Sequence, residues 1–363
     1  MRALVVVCRY LGDVLLATPL AKSLAEAGFA VEWLVAPGTE AMLENQPFAS
    51  RVHTLSPSLL GLRDSVRALR ASSREKFDLA CVLTGSDRPI VVARLVAKRV
   101  YSLLPMRAQD GWKRHLVTDW VTNDAPSHMV SYCADLARLA GVATPENHPT
   151  PSLQWDAADA AVVRAQLGSD GGWDAETHYV HIHPFARWPY KLWPDRSWQA
   201  LMRRIDEAGL RIVMTAGPGE AQAAQALAGG AGIDGAHYRV LAGVLAWPQL
   251  AALSAGAALY VGLDTANTHL AAGSGTGVVA LYGPTDPRIW GPWPADYPLG
   301  RSPYRSWLAG GRQSAGNVTL LQSSLGCVPC QKEGCGHQRA SSSDCLEQMG
   351  VDQVWQACKE WLA

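Results

Sequence analysis

The stretch whose reading decides the fold is Tyr260-Val-Gly-Leu-Asp264-Thr265-Ala266-Asn267-Thr268-His269-Leu-Ala-Ala-Gly-Ser-Gly-Thr-Gly-Val-Val-Ala-Leu-Tyr-Gly283-Pro284-Thr285. A short apolar run ends in Gly-Leu-Asp-Thr, a small-residue segment follows, and a second apolar run ends in Gly-Pro-Thr. Periodicity makes this strand, helix, strand. Such a unit delivers polar groups to one edge of a parallel sheet, where open α/β sheets bind their ligands.

Working outward, the same alternation fills the second half of the chain. Residues 179–183, 211–215 and 259–262 read as strands, and 195–208, 219–228 and 247–255 as helices. The first half opens with a strand at 3–8, a helix at 13–27 and a strand at 31–35. A further strand at 79–83 and helices at 89–97 and 131–140 complete that pattern. Strands alternating with helices predict α/β architecture with doubly wound parallel sheets. The segment 104–127, polar and rich in Arg, Lys and Trp, reads as a long functional loop. Proline and polar residues at 145–151 and glycines at 168–173 mark a hinge. The expected domains are 1–165 and 175–349, followed by a C-terminal helix, 350–363, packing back on the first.

Composition narrows the function. A chain of 363 residues supports two domains of ordinary size. Its 32 Lys and Arg balance its 32 Asp and Glu, so no broad basic face for nucleic acid exists and any anion site must be local. The first apolar run follows Arg2 as in a signal peptide, yet Arg9 and Asp13 interrupt it and no cleavage site follows. No run approaches the roughly 18 apolar residues of a membrane span. The expected location is cytoplasmic, with at most peripheral contact on the inner face of a membrane.

Four groups of residues carry chemistry. Gly12-Asp13 stands at the first strand-to-helix turn, where Asp13 either caps its helix or faces a ligand cleft. Arg187 and Lys191 lie in the loop before the helix near Asp195; two cations there suit a phosphate, and a solvated loop is the plainer reading. Gly217-Pro-Gly219-Glu220 ends the next strand, with glycine allowing close approach of a ligand. In Asp264-Thr265-Ala266-Asn267-Thr268-His269 the carboxylate can accept bonds from sugar hydroxyls and Thr265 offers a hydroxyl. An Asp cap beside a core histidine is the alternative. The chain contains no Asp-x-Asp pair for a divalent metal on a diphosphate.

Of eight cysteines, Cys8, Cys81 and Cys133 read as core fillers. Cys327, Cys330, Cys335 and Cys345, with His337 among them, could hold zinc or iron as a structural metal, serve a redox or disulfide role or stay unligated.

Gly12-Asp13-Val-Leu-Leu-Ala-Thr-Pro19, Lys191-Leu-Trp193-Pro194, Gly262-Leu-Asp264-Thr265-Ala266-x-x-His269 and Gly283-Pro-Thr285 with Trp290-Gly-Pro292 together resemble glycosyltransferase family 9, the ADP-heptose:lipopolysaccharide heptosyltransferases. Arg187-Trp188-x-x-Lys191-x-Trp193 is most similar to the heptosyltransferase III branch. The resemblance implies a GT-B fold, two Rossmann-like domains facing a cleft. It implies inverting transfer of heptose from ADP-heptose to a lipopolysaccharide core acceptor, with no cofactor required. By the same resemblance Asp13 is the general base, Lys191 stabilises the departing diphosphate, and Asp264 holds the donor sugar. Arg187, Gly217, Thr265, Ala266 and His269 line the donor, Glu220 meets the ribose, and Leu245 falls near the adenine. Ala266 stands where glycine is frequent, and Ala186-Arg187 where some relatives carry hydroxyl residues. Arg107, Lys113, Arg114 and His115 could meet acceptor phosphates or lipid head groups, or be simply solvated. A family member acting on a protein or another glycan, a nucleotide-sugar epimerase of similar shape, and a non-catalytic nucleotide-sugar-binding homologue remain open on the sequence.

Overall fold

The computed structural model describes residues 1–71, 75–124, 126–143, 150–168, 173, 178–305 and 311–363. The expected hinge segments, 145–151 and 168–173, lie largely outside them. The chain forms two compact units, residues 1–153 with 298–302, and 154–297 with 303–363.

The first unit contains β1 (Arg2–Val7), α1 (Leu11–Leu16), α2 (Thr18–Glu26), β2 (Ala30–Val35), β3 (Arg51–Thr54), α3 (Leu59–Ala71), β4 (Phe77–Val82), α4 (Asp87–Val96), β5 (Ala97–Leu104), β6 (Asp119–Thr122) and α5 (Met129–Leu139). Its sheet runs β3-β2-β1-β4-β5-β6, parallel throughout. Ala3 to Val7 are buried on both faces, as a central parallel strand requires. The helix expected at 13–27 is two helices. Pro19 has no N–H to offer the Leu15 carbonyl, and the Thr18 hydroxyl donates to that oxygen instead at 2.8 Å. The expected loop 104–127 holds a 3₁₀ turn at Ala108–His115 and the edge strand β6.

The second unit contains α6 (Ala157–Gly168), β7 (Tyr179–His183), α7 (Asp195–Glu207), β8 (Arg211–Ala216), α8 (Ala221–Gly229), β9 (Tyr238–Ala242), α9 (Trp247–Ala255), β10 (Leu259–Leu263), α10 (Ala266–Gly273), β11 (Val278–Leu281), α11 (Pro287–Trp290), β12 (Arg312–Ala315), β13 (Val318–Leu321), α12 (Asp344–Glu347) and α13 (Val351–Leu362). The sheet order is β12-β13-β11-β10-β7-β8-β9, and only β12 runs antiparallel. Helix α6, grouped with the first domain on the sequence, packs on α9 here. Helix α13, expected to return to the first domain, buries Val354, Ala357 and Cys358 in the second unit's core, against α7. The Trp361 indole donates to Thr319 Oγ1 at 3.1 Å, and its ring lies so close to Gly277 that a Cβ there would come within 2.9 Å.

In both sheets the first strand is central and the chain crosses to its other side after the third. The switch points fall between β1 and β4 and between β7 and β10. Ligands of open α/β sheets bind outside the carboxyl ends of strands at such points. Asp13 follows β1, the 184–194 loop follows β7, and Asp264 follows β10. No helix among the described residues is long and apolar enough to cross a membrane.

Candidate active site

The switch point of the second unit holds an ion pair. Lys191 Nζ lies 2.6 Å from Asp264 Oδ2, with the lysine side chain 23% exposed and the aspartate 8%. Lys191 ends a 3₁₀ turn, Pro189–Lys191. Two residues on, buried Trp193 pins the loop: its indole donates to the Met349 carbonyl at 2.9 Å, and its ring meets Trp198 edge-on at 5.1 Å. Asp264 also accepts from the Thr285 hydroxyl at 2.5 Å. Burial opposes its ionisation, but the Lys191 ammonium and the Thr285 hydroxyl outweigh burial and hold its pKa below the usual carboxylate value.

Thr265 caps α10 by position, Ala266 is its first residue, and His269 lies one turn on, buried. Burial pushes the His269 pKa down to about 4 although Asp264 is near, so the ring is neutral at pH 7. Among the described residues His269 Nδ1 has no hydrogen-bond partner. Buried polar groups are nearly always hydrogen-bonded, so a ring nitrogen left without a partner beside a carboxylate and an ammonium marks a candidate ligand contact. Arg187 is exposed on the same loop and stacks on Trp188 at 5.0 Å, whose other cation is Arg339 at 4.7 Å.

Gly217 follows β8, and its N–H donates to Glu220 Oε2 at 2.6 Å, closing a tight turn. The neighbouring turn after β9 approaches so closely that Gly243, at φ +66°, would put a Cβ 2.4 Å from the Pro218 Cα. Leu245 is half-buried against the small apolar cluster of Trp173, Tyr179 and Leu253, while Val244 beside it is 51% exposed. Any flat ligand surface offered by this turn is therefore at least as much Val244 as Leu245.

In the first unit Asp13 is the third residue of α1 and 9% exposed. Its carboxylate accepts the Tyr10 N–H at 3.3 Å and lies 3.8 Å from Arg9. Capping and a position at the sheet's ligand edge thus coexist. Lys113 departs from expectation. It is buried, paired with Asp110 at 2.5 Å and Asp87 at 2.7 Å, and donates to the Gly85 carbonyl, so it is committed to the protein rather than to an acceptor phosphate.

Among the described residues no three Cys, His, Asp or Glu side chains gather closely enough to hold a metal ion. Cys327 and Cys335 are exposed while Cys345 is buried, and burial with Cys330 and Cys335 nearby pushes the Cys345 thiol up to about 11. The segment also contacts the turn at 283–285. Gln331 N–H donates to the Pro284 carbonyl at 2.8 Å, and Leu346 fills the space that a side chain at Gly283 would need. Gln322 donates to the Gly283 and Thr285 carbonyls at 2.9 and 3.0 Å, which fixes the turn that presents Thr285 to Asp264.

Sequence reasoning passed over Thr285 as the partner of Asp264 and over the contact of Asn267 with His183 at 3.1 Å. Each joins residues from separate elements, which no local spacing records.

The glycosyltransferase family 9 (heptosyltransferase) model matches residues 66–305. Lipopolysaccharide heptosyltransferase 3 of Escherichia coli strain K12 is 28% identical over 296 residues, covering 78% of this chain and 83% of that protein. The solved structure of E. coli ADP-heptose lipopolysaccharide heptosyltransferase II superposes with a TM-score of 0.73 at 18% identity, over 100% of this chain and 98% of that one. E. coli heptosyltransferase WaaC with ADP gives 0.68 at 21% identity, over 99% and 100%. The fold is GT-B. With the family match spanning well over half of the sequence, the chain belongs to glycosyltransferase family 9 and is a glycosyltransferase.

Proposed function

We propose that this enzyme transfers a heptose from ADP-heptose to a hydroxyl of the lipopolysaccharide inner core, with inversion and without a metal. The observation that carries the reading is the Lys191–Asp264 pair at the switch point of the second unit, beside the unpartnered His269 nitrogen. The relatives add the substrates, since one is a lipopolysaccharide heptosyltransferase and another was solved with ADP.

In this mechanism the acceptor oxygen attacks the anomeric carbon as its proton passes to the Asp13 carboxylate. The bond between that carbon and the β-phosphate oxygen breaks, and ADP leaves with the electron pair. Lys191 turns its ammonium from Asp264 to the departing phosphate, with Arg187 as a second cation. A preorganised charge of this kind acts where negative charge develops. Asp264, released from Lys191, accepts sugar hydroxyls. His269, neutral, offers hydrogen bonding rather than charge, and Thr265, Ala266 and Gly217 allow close approach. Glu220 takes the ribose and the Leu245 turn the adenine. On the first unit, exposed Met106, Trp112, Arg107 and His115 form the face for an acceptor at a membrane surface.

A donor screen tests the reading. The chain is given ADP- and UDP-sugars with and without a lipopolysaccharide core acceptor, and products are weighed by mass spectrometry. The expected result is one heptose added to the acceptor, only with ADP-heptose and equally in the presence of a chelator. Conversion of donor without acceptor makes the chain an epimerase. ADP binding with no product makes it a non-catalytic carrier.

A further inference from the structure

A row of buried polar side chains crosses the second unit beneath the candidate site. Ser254 Oγ lies 3.2 Å from His181 Nδ1, and His181 Nε2 lies 2.8 Å from Thr215 Oγ1. The same hydroxyl lies 2.9 Å from His183 Nδ1, and His183 Nε2 lies 3.1 Å from Asn267 Nδ2. All five side chains are buried. His183 ends β7 and pairs in register with Gly262 of β10, two residues before Asp264. Asn267 is the second residue of α10.

The Asn267 amide nitrogen faces His183 Nε2, and an NH₂ group only donates, so Nε2 is the acceptor and the proton of the neutral ring sits on Nδ1, toward the Thr215 hydroxyl. Burial pushes the His181 and His183 pKa values down to about 3 and about 4, so both rings stay neutral at pH 7 and the arrangement holds there. The consequence falls on the other end of the amide. Asn267 Oδ1 accepts no hydrogen bond among the described residues, and it is not sealed from solvent as an orphaned buried atom would be.

We propose that Asn267 is a specificity-determining residue whose amide oxygen, oriented by the unprotonated Nε2 of His183, accepts a hydrogen bond from a hydroxyl of the nucleotide sugar. His183 is its positioning residue. This rests on the donor reading of the site given above. Asparagine is a poorer helix former than the alanines beside it in α10, and its amide nitrogen is already used by His183, which leaves the oxygen for another partner. A single oriented acceptor discriminates strongly, because a ligand lacking the matching hydroxyl leaves it unpaired.

Calorimetric titration with ADP and with ADP-heptose, in the absence of acceptor, tests this on the full-length chain. Asn267→Leu and His183→Leu each weaken binding, by roughly 3- to 10-fold for one net hydrogen bond. His183→Gln, whose Oε1 can replace Nε2 as acceptor, restores affinity to within about twofold of wild type. Loss shared by both ligands assigns the hydroxyl to the ribose, and loss confined to ADP-heptose assigns it to the sugar. Unchanged affinity of Asn267→Leu for both ligands overturns the proposal. Should His183→Leu not fold, ¹⁵N-histidine spectra of the wild-type protein give an independent answer: a proton on His183 Nε2 at pH 7 overturns the orientation. Wild-type protein that binds neither ligand ends the heptosyltransferase reading and this proposal together, whereas wild-type binding with undiminished variants ends this proposal alone.

Discussion

Lys191 and Asp264 depend on each other before any substrate arrives. Removing one member of a buried ion pair strands the other, at a cost of roughly 3–5 kcal/mol when both are sealed from water. Lys191 is part-exposed, so Lys191→Ala should cost less, on the order of 2 kcal/mol. The double variant Lys191→Ala/Asp264→Ala should regain most of that stability in urea denaturation, since no charge is left stranded, yet not regain ADP affinity by calorimetry. Recovery of both would make the pair a structural contact with no part in phosphate binding. Asp13 makes a different test. A free aspartate has a pKa near 3.9, which makes it a weak base at neutral pH, and typical general-base contributions are about 10²- to 10⁴-fold. Asp13→Asn keeps an oxygen for the Tyr10 N–H, so the helix start should survive while turnover at saturating donor falls by roughly 10²-fold or more. Near wild-type turnover removes Asp13 from the chemistry.

At the scale of elements, the strands that a reader can find in the sequence are those buried on both faces. Runs such as Val278–Leu281 and residues 3–7 lie wholly in the core and read as uninterrupted apolar segments. Strands β3, β6 and β12 are four residues each, and Arg51–Thr54, Asp119–Thr122 and Arg312–Ala315 at the sheet edges carry charges and half-buried side chains that give no such signal. The candidate site divides the same way. Lys191, Asp264 and His269 stand in strand-end motifs and were legible, while His183, Thr215 and Asn267 look like ordinary strand and helix residues until the sheet brings them together. Edge strands also need fastening, and β3 has it. Glu32 on β2 pairs with Arg2 of β1 at 2.6 Å and with His53 of β3 at 2.8 Å. Burial opposes ionisation of Glu32, but these two partners outweigh it and hold its pKa at about 2. A carboxylate with a depressed folded-state pKa contributes stability above its unfolded value, near 4.3, and loses it as pH falls toward 2. Glu32→Gln should therefore cost about 2–3 kcal/mol at pH 7 in denaturant titrations, with the gap closing from about pH 4.5 downward. A gap that stays constant to pH 2.5 would show that packing, not charge, fastens these strands.

Across the whole molecule, two largely parallel sheets with the same switch-point logic carry different chemistry. The first brings the Asp13 carboxylate to its ligand edge, while Lys113 is already neutralised by Asp87 and Asp110. The second brings an ammonium, a carboxylate, an unpartnered imidazole and two glycine-bearing turns. A nucleoside diphosphate needs cations, close backbone approach and hydrogen-bond groups that are not already satisfied, and the second unit supplies all three. Hydrogen exchange read by mass spectrometry should therefore report ADP alone as slowed exchange in 183–193, 217–220 and 264–269, with residues 9–18 unchanged. A ligand that binds only the folded form stabilises it in proportion to the logarithm of its concentration over Kd, about 2.7 kcal/mol at a hundredfold excess, so protection of these turns should grow with ADP in that way. Protection of 9–18 by ADP equal to that of 264–269 would assign nucleotide binding to the first unit as well, and the division of base and leaving group between the two sheets would have to be abandoned.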